Sequence, residues 1–495
     1  MKKIFSLLAA IAVAAGLSAG GAAAAAGNDP ASYNGFLQSL KLSEAAQQVP
    51  VPAAPENGAP TMLFSRSAGK ITVGINPNRE LLYTILHLTA FSEKLRNGRM
   101  PALAAAALAD LGKFKGHPAV AELDHQGALN WEKGFCYDAF SDYYSYFSDL
   151  PEGRRIYDYD DDFLARVLRG QSKAEKIAYL DAYWEKVRDF HKTAGFAGFF
   201  KKNAGLYQSY ADSVYRNLPP MDAVKLHEDF HAEPGFEHFY IVPSPLNLPP
   251  GGSFGGRRGK SIFNHMGYGF NDGEAVKLLI LHEFGHSFCN PVADKYAAEL
   301  GKYGFLMEGL AADMKKKAYT TWQTVMDELL VRAVHARLLL RMDGKDAAEL
   351  FLQREISYDK FVFIRDFYNL LEVYENDRGT YPTLYEFYPR LADALSNWEL
   401  AEVVEPLNVD VWTTPVGETL VIDWAVPTGY GYAAGLRDRD TVTAVDGQKA
   451  GPAFFLTMEN GRTYALSVTR EDGRQETISL TTLSQRTQRP VRKPR

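Results

Sequence analysis

Residues 273–290, Gly273-Glu-Ala-Val-Lys-Leu-Leu-Ile-Leu-His282-Glu283-Phe284-Gly285-His286-Ser-Phe-Cys289-Asn290, decide how the rest of the chain is read. Asp272 can cap a helix here, and Asn290-Pro291 is expected to stop it. His282 and His286 are four residues apart and share a helix face. Two imidazole nitrogens so placed can reach one metal ion at about 2.0–2.1 Å each. Glu283, one residue on, is rotated by about 100° around the axis. There it flanks a water beside the metal, where a general base is needed. Leu278–Leu281 is apolar and Phe284 and Gly285 are uncharged, so the helix is expected to be buried. Buried histidines and a buried carboxylate need partners. A Zn2+ ion supplies them, whereas an amphipathic helix with chance histidines does not.

A second match to the same spacing runs from His227 to His231. Lys225 precedes it, Asp229 lies inside it, and Ala232-Glu233-Pro234-Gly235 breaks the chain at once. It is expected to be an exposed helix end.

The third ligand must come from elsewhere. A site with a third histidine further along the same strip would need Gly at 289 and His at 292; the chain has Cys289 and Val292. Cys289 would sit a turn beyond the metal. A glutamate from a later helix is expected, and Glu308 and Glu328 compete. Glu328 is favoured: it stands in a strongly apolar helix, and Glu328, Arg332 and His335 fall on one face. Arg332 would then hold the ligand carboxylate from behind. The bland alternative is an internal ion pair. Tyr381, Tyr374 and His265 are candidates to steady an oxyanion, and a strand at Phe239–Val242 could align substrate by edge pairing.

From about Ile71 to Trp398 the chain resembles an uncharacterised gluzincin-like family of exported bacterial proteins, classed as a domain of unknown function. The likeness rests on Asn78-Arg79-Glu80-Leu81-Leu82, on His282–Asn290 with Pro291, and on Ala318-Tyr319 with Trp322. It continues in Glu328 with Val331-Arg332-Ala333, in Tyr374-Glu375-Asn376-Asp377-Arg378, and in Tyr381-Pro382-Thr383. The resemblance implies a zincin-like fold and Glu328 as third ligand. Better-known gluzincins often carry an acidic residue about four places after that glutamate; Arg332 stands there instead.

Residues beyond Glu405 turn to short alternating segments parted by Gly, Asp and Pro. Ala433-Ala434-Gly435-Leu436, Asp440, Val445-Asp446-Gly447 and Leu466-Ser467-Val468-Thr469-Arg470 resemble a PDZ domain, which binds an extended peptide as an added strand. Arg439 replaces the glycine usual before the aspartate, and Glu418 would repel a peptide carboxylate. Secreted glycyl-aminopeptidase-type enzymes also carry a PDZ domain after such a motif; Phe305–Ala311 is similar to their second motif and would favour Glu308.

At the start, Met1-Lys2-Lys3, uncharged Ile4–Ala19 and the small residues Gly20–Gly27 read as a secretory signal peptide, too short to span a bilayer. The expected organisation is a signal peptide over 1–27, a Pro/Ala-rich linker over 28–60, and a mostly helical zincin-like domain over 61–402. A β-rich PDZ-like domain over 403–484 and a basic tail over 485–495 follow. The fold class is α+β. Within the helical domain, Lys70–Ile75 reads as a strand, Asn76-Pro77 as a helix start, and Pro249–Gly259 as a Gly-rich loop.

The whole chain has 495 residues, 46% hydrophobic and 23% charged, with a net charge of −6 and two cysteines. That excludes disulfide scaffolds, cysteine-rich zinc folds and wholly disordered chains, and nothing in it points to nucleic acid. The expectation is an exported zinc-dependent peptidase, periplasmic or extracellular, acting on a peptide or protein, with no transmembrane span in the mature chain. The alternatives are a glycyl-aminopeptidase-like exopeptidase using Glu308 and a non-catalytic zinc-containing module that captures peptides.

Overall fold

The computed structural model describes residues 61–96, 100–219, 222–232, 236–248, 252–268, 273–317, 319–406, 409–416, 418–426, 429–451 and 454–494. The expected leader and linker, and the cap at Asp272, lie outside the described residues. The architecture is mixed α/β, with helices forming about half of it. Its strands are β1 (Leu63–Ala68), β2 (Ile71–Ile75), β3 (His238–Pro243), β4 (Ser253–Arg258), β5 (Ser261–Met266), β6 (Trp398–Pro406), β7 (Val411–Val416), β8 (Thr419–Ala425), β9 (Thr441–Val445), β10 (Gln448–Lys449), β11 (Thr463–Thr469), β12 (Gln475–Thr481) and β13 (Ser484–Arg492). Among its helices are α1 (Pro77–His87), α2 (Ala223–His231), α3 (Gly273–Lys295), α4 (Ala311–Lys316), α5 (Trp322–Asp343), α6 (Lys345–Ser357) and α7 (Ile364–Asn376). The chain forms two compact units. One takes the described residues within Lys225–Pro234 and Leu278–Arg495, the other those within Gly27–Val224 and Gly235–Lys277. No described helix is long and apolar enough to cross a membrane.

The second unit is built on a five-stranded sheet in the order β1-β2-β3-β5-β4. Strands β2, β3 and β5 run parallel, and β1 and β4 flank them antiparallel. Asn76 caps α1 by accepting from the Arg79 amide at 3.0 Å, with Pro77 in the first turn. The fully buried Arg79 then staples α1 to the sheet. Its guanidinium donates to Val242 O at 2.8 Å, Asn247 Oδ1 at 2.7 Å and Ser141 Oγ at 3.1 Å.

Two expectations fail in this sheet. Strand β3 lies between β2 and β5, so its edges are taken and it cannot align a substrate by edge pairing. The Gly-rich stretch expected as a loop contains β4. A Cβ at Gly256 would come within 2.9 Å of His265 and 3.0 Å of Asp142. Its glycine permits close packing of a strand rather than a turn.

In the first unit, a six-stranded sheet follows the helices, in the order β12-β11-β9-β8-β7 with β10 against β9. It has its own core, drawn wholly from residues 409–480, including Leu420, Ile422, Leu436, Leu466 and Leu480. Asp440 is buried, accepting from the Arg437 amide at 2.7 Å and from Arg470 at 2.6 Å. Arg439 has φ +66, the left-handed conformation for which glycine is the ordinary choice. Glu418 forms a surface ion pair with Lys449.

The expected basic tail is a strand. β13 pairs antiparallel with β6 from Ser484↔Pro406 to Arg492↔Trp398. Its arginines meet carboxylates: Arg486 meets Glu402, Arg489 meets Glu405 and Asp313, and Arg492 meets Asp366. Those partners lie far away in sequence, so a local count of charge cannot see them.

Candidate metal centre

Helix α3 carries the first motif. It does not stop at Asn290-Pro291 as expected but runs through Pro291 to Lys295. The missing amide costs one helical hydrogen bond, yet Val292 and Ala293 beyond it are buried and hold the helix on course. Helix α5 is capped by the Thr321 hydroxyl, which accepts from the Thr324 amide at 3.1 Å. Nearly every residue from Val325 to Leu339 is buried.

His282, His286 and Glu328 come together where α3 meets α5. The two Nε2 atoms are 3.3 Å apart. Glu328 places Oε2 3.6 Å from His282 Nε2 and Oε1 3.6 Å from His286 Nε2. Two ligands bound at 2.0–2.1 Å in a tetrahedron stand about 3.3–3.4 Å apart. The two imidazole nitrogens have that separation, the carboxylate oxygens stand slightly beyond it, and one donor atom from each residue lies within 4.8 Å of the others, so the set could hold a metal ion. His286 Nδ1 lies 3.1 Å from Asn290 Oδ1. An amide oxygen only accepts, so the proton sits on Nδ1 and Nε2 presents its lone pair to the cluster. Burial holds the His282 ring well below the usual histidine range, and the neighbouring His286, Arg332 and His335 add to this, so it is neutral. Two imidazole nitrogens and one carboxylate form a donor set for a divalent ion. The side chain of His286 is 18% exposed against 4% for His282, so the cluster opens to solvent on the His286 side. Glu283 is buried, next to His282 on α3.

Behind Glu328 stands a buried ionic chain. Arg332 Nε donates to Glu328 Oε2 at 3.2 Å. Its Nη1 donates to both oxygens of Glu355 on α6, at 3.0 and 2.8 Å. Nη2 reaches the Tyr319 hydroxyl at 3.3 Å. The guanidinium lies over the Phe361 ring at 4.6 Å. Glu355 thus reaches Arg332 from the next helix. Burial raises the Tyr319 hydroxyl well above the ordinary tyrosine range, and Glu328 beside it pushes the same way. Neither Tyr319 nor Glu355 was a site candidate. Each joins Arg332 through tertiary packing, with no local spacing to announce it.

The remaining candidates lie elsewhere. Glu308 is exposed on the 3₁₀ turn Gly304–Gly309, and Cys289 is buried; neither belongs to the cluster. Tyr374 is buried and donates to Phe230 O at 2.9 Å. The Tyr381 hydroxyl accepts from Arg390 at 3.3 Å. His265 is buried on β5, 3.0 Å from the Tyr144 hydroxyl. The His335 ring packs at a tilt against Phe351, with centroids 4.6 Å apart, and lies 6.2 Å from the His282 ring.

The second motif is not the exposed helix end expected. His227 and His231 are buried, and both rings stack on Phe288 of α3. Lys225 and Asp229 pair with each other at 2.8 Å on the outer face, leaving the histidine face to turn inward. Among the described residues no third ligand joins this pair.

Residues 154–394 match the family model described as a domain of unknown function, DUF4932. That span contains His282, His286, Glu328, Arg332 and Glu355. No curated protein matches the chain. Among solved structures, the chain is similar to an aminopeptidase N family protein from Idiomarina loihiensis. The identity is 12%, the match covers 55% of this chain and 63% of that one, and the TM-score is 0.21. The match therefore spans less than two thirds of that protein's length.

Proposed function

We propose that this chain is an exported zinc-dependent peptidase. One observation carries the reading: His282, His286 and Glu328 converge within 4.8 Å of one another, next in sequence to Glu283, with a side open to solvent. These three residues would hold zinc, which when bound would supply Lewis acidity and acidify water. Glu283, buried beside His282, would act as the general base that accepts a proton from the attacking water and returns it to the leaving amine. The buried wall of α3 and α5 keeps bulk water from the sides of the cluster, and Asn290 and Arg332 hold the His286 ring and the Glu328 carboxylate in orientation. Exposed Glu308 stands apart, which weighs against the glycyl-aminopeptidase-like ligand set.

The test is metal analysis of the purified chain combined with a peptide-library assay. One zinc per chain and cleavage are expected in the wild type. Glu283→Gln should keep the zinc and lose cleavage by about 10²–10⁴-fold or more. Glu328→Gln should lose zinc, whereas Glu308→Gln should not. Undiminished turnover in Glu283→Gln would rule out this base. Zinc without cleavage of any peptide would turn the reading toward the binding module, with an extended peptide added beside β7, an outer strand of the six-stranded sheet.

A further inference from the structure

Arg332 poses a chemical problem for the centre. A guanidinium 3.2 Å from the carboxylate that faces the histidines competes with any metal for the same oxygens. Left to itself, an arginine takes a carboxylate with both arms of its fork. Here that would swing both Glu328 oxygens toward Arg332 and away from the imidazoles.

The surroundings prevent it. Both oxygens of Glu355 hold Nη1, the Tyr319 hydroxyl accepts from Nη2, and Phe361 lies against the flat face. Glu328 is met by Nε, which takes only Oε2. Oε1 stays 3.6 Å from His286 Nε2. The Arg332 and Glu355 side chains are 1% and 2% exposed, so water cannot stand in for either partner. The backbone oxygen of Glu355 accepts from the Phe361 amide at 2.8 Å, which locks the chain that carries it.

We infer that Glu355 is a positioning residue: by holding Nη1 of Arg332 it keeps the guanidinium on Oε2 of Glu328 and leaves Oε1 turned toward His286 and a metal. The inference rests on the peptidase reading only in requiring a metal at the three donors. A purely structural role, cross-linking α6 to α5, is the competing account, and it makes a different forecast. Losing a cross-link lowers the melting temperature of the metal-free chain and leaves its zinc affinity alone. Losing a positioning residue weakens zinc.

The experiment uses the full chain, with zinc affinity from chelator competition and melting of the metal-free protein measured side by side. Glu355→Gln keeps the shape but gives up the charge that holds the fork. It should weaken zinc by about 10–100-fold. Glu355→Asp keeps the charge on a shorter arm and should fall between wild type and Gln. If only the Asp variant folds, a loss of roughly threefold or more is expected, and equal affinity overturns the inference. Zinc affinity unchanged in Glu355→Gln, with melting lowered, likewise overturns it in favour of the cross-link. A wild type that binds no zinc overturns this inference and the peptidase reading together. Zinc weakened by Glu355→Gln in a chain that cleaves nothing sinks only the peptidase reading.

Discussion

Glu80 measures how far its surroundings can push a single side chain. It is fully buried on α1, and desolvation raises its carboxyl to about 8, with Ser244 and Arg79 drawing it partly back. In the unfolded chain the same group titrates near 4.5. Between those values the folded state keeps a proton that the unfolded state releases, so the stability contribution is full below about pH 4.5 and is lost as the pH climbs toward 8. The slope is at most ~1.4 kcal/mol per pH unit. Glu80→Gln has no proton to lose. Urea unfolding from about pH 5 to pH 8 should show the wild type losing stability relative to Glu80→Gln as pH rises; parallel curves would mean that Glu80 is charged in the fold. The same contrast between local and tertiary causes explains what could be read from the chain beforehand. His282 and His286 declare themselves by a spacing of one helical turn. Glu328 does so by standing charged in an apolar helix. Glu80, Tyr319 and Glu355 have unremarkable neighbours in sequence, and their roles come from groups that packing brings to them.

Among the elements, helices were more legible than their limits. The strand at Ile71–Ile75, the helix start at Asn76-Pro77 and the strand at His238–Pro243 follow from alternation and capping chemistry. Strand β4 and the passage of α3 through Pro291 do not, because local rules about glycine and proline were outweighed by packing on β5 and by the buried Val292 and Ala293. Packing also accounts for segments whose purpose the sequence left open. Arg378 of the Tyr374–Arg378 stretch lies on the Tyr374 ring at 3.9 Å and donates to Asp229 O at 2.9 Å, joining Tyr374 in satisfying the carbonyl end of α2. Gly285, inside the metal motif, has a similar purpose. A Cβ there would lie 3.3 Å from Val331 of α5 and 3.6 Å from His227 of α2. Three helices approach at this point because no side chain stands between them. Gly285→Ala should be nearly neutral, since a gain of about 1 kcal/mol in helix propensity offsets one tight contact. Gly285→Leu must force the helices apart and should cost about 1–3 kcal/mol or more, read by chemical denaturation. A leucine variant as stable as wild type would show that α3 and α5 are not closely seated at the motif.

On the scale of the molecule, the main question is how the six-stranded module is attached to the helices of its unit. The chain enters the module through β6 and leaves it through β13, and these two ends pair with each other as a ribbon. The ribbon lies on the helical part. A Cβ at Gly309 would come within 2.8 Å of Leu400 and Pro490, and Arg489 donates to Gly309 O at 2.7 Å while pairing with Asp313 of α4 at the same distance. Asp366 of α7 accepts from Trp398 Nε1 at 2.8 Å and also holds Arg492. Since the module's core needs nothing outside residues 409–480, it should survive removal of β13 as a folded body while losing its attachment. A chain ending at Leu483 should therefore unfold in two calorimetric transitions where the wild type shows one, and protease should cut around residues 398–410, where β6 has lost its partner. Arg489→Ala should take the first step along this path, costing about 1–3 kcal/mol, because its three partners include a backbone oxygen and two carboxylates and its side chain is only 12% exposed. The truncated chain melting in one transition at the wild-type temperature would mean that the ribbon rests on the helices without holding the module to them. The two ends of the module would then serve as a linker, and the charges on β13 would be a solvated face after all.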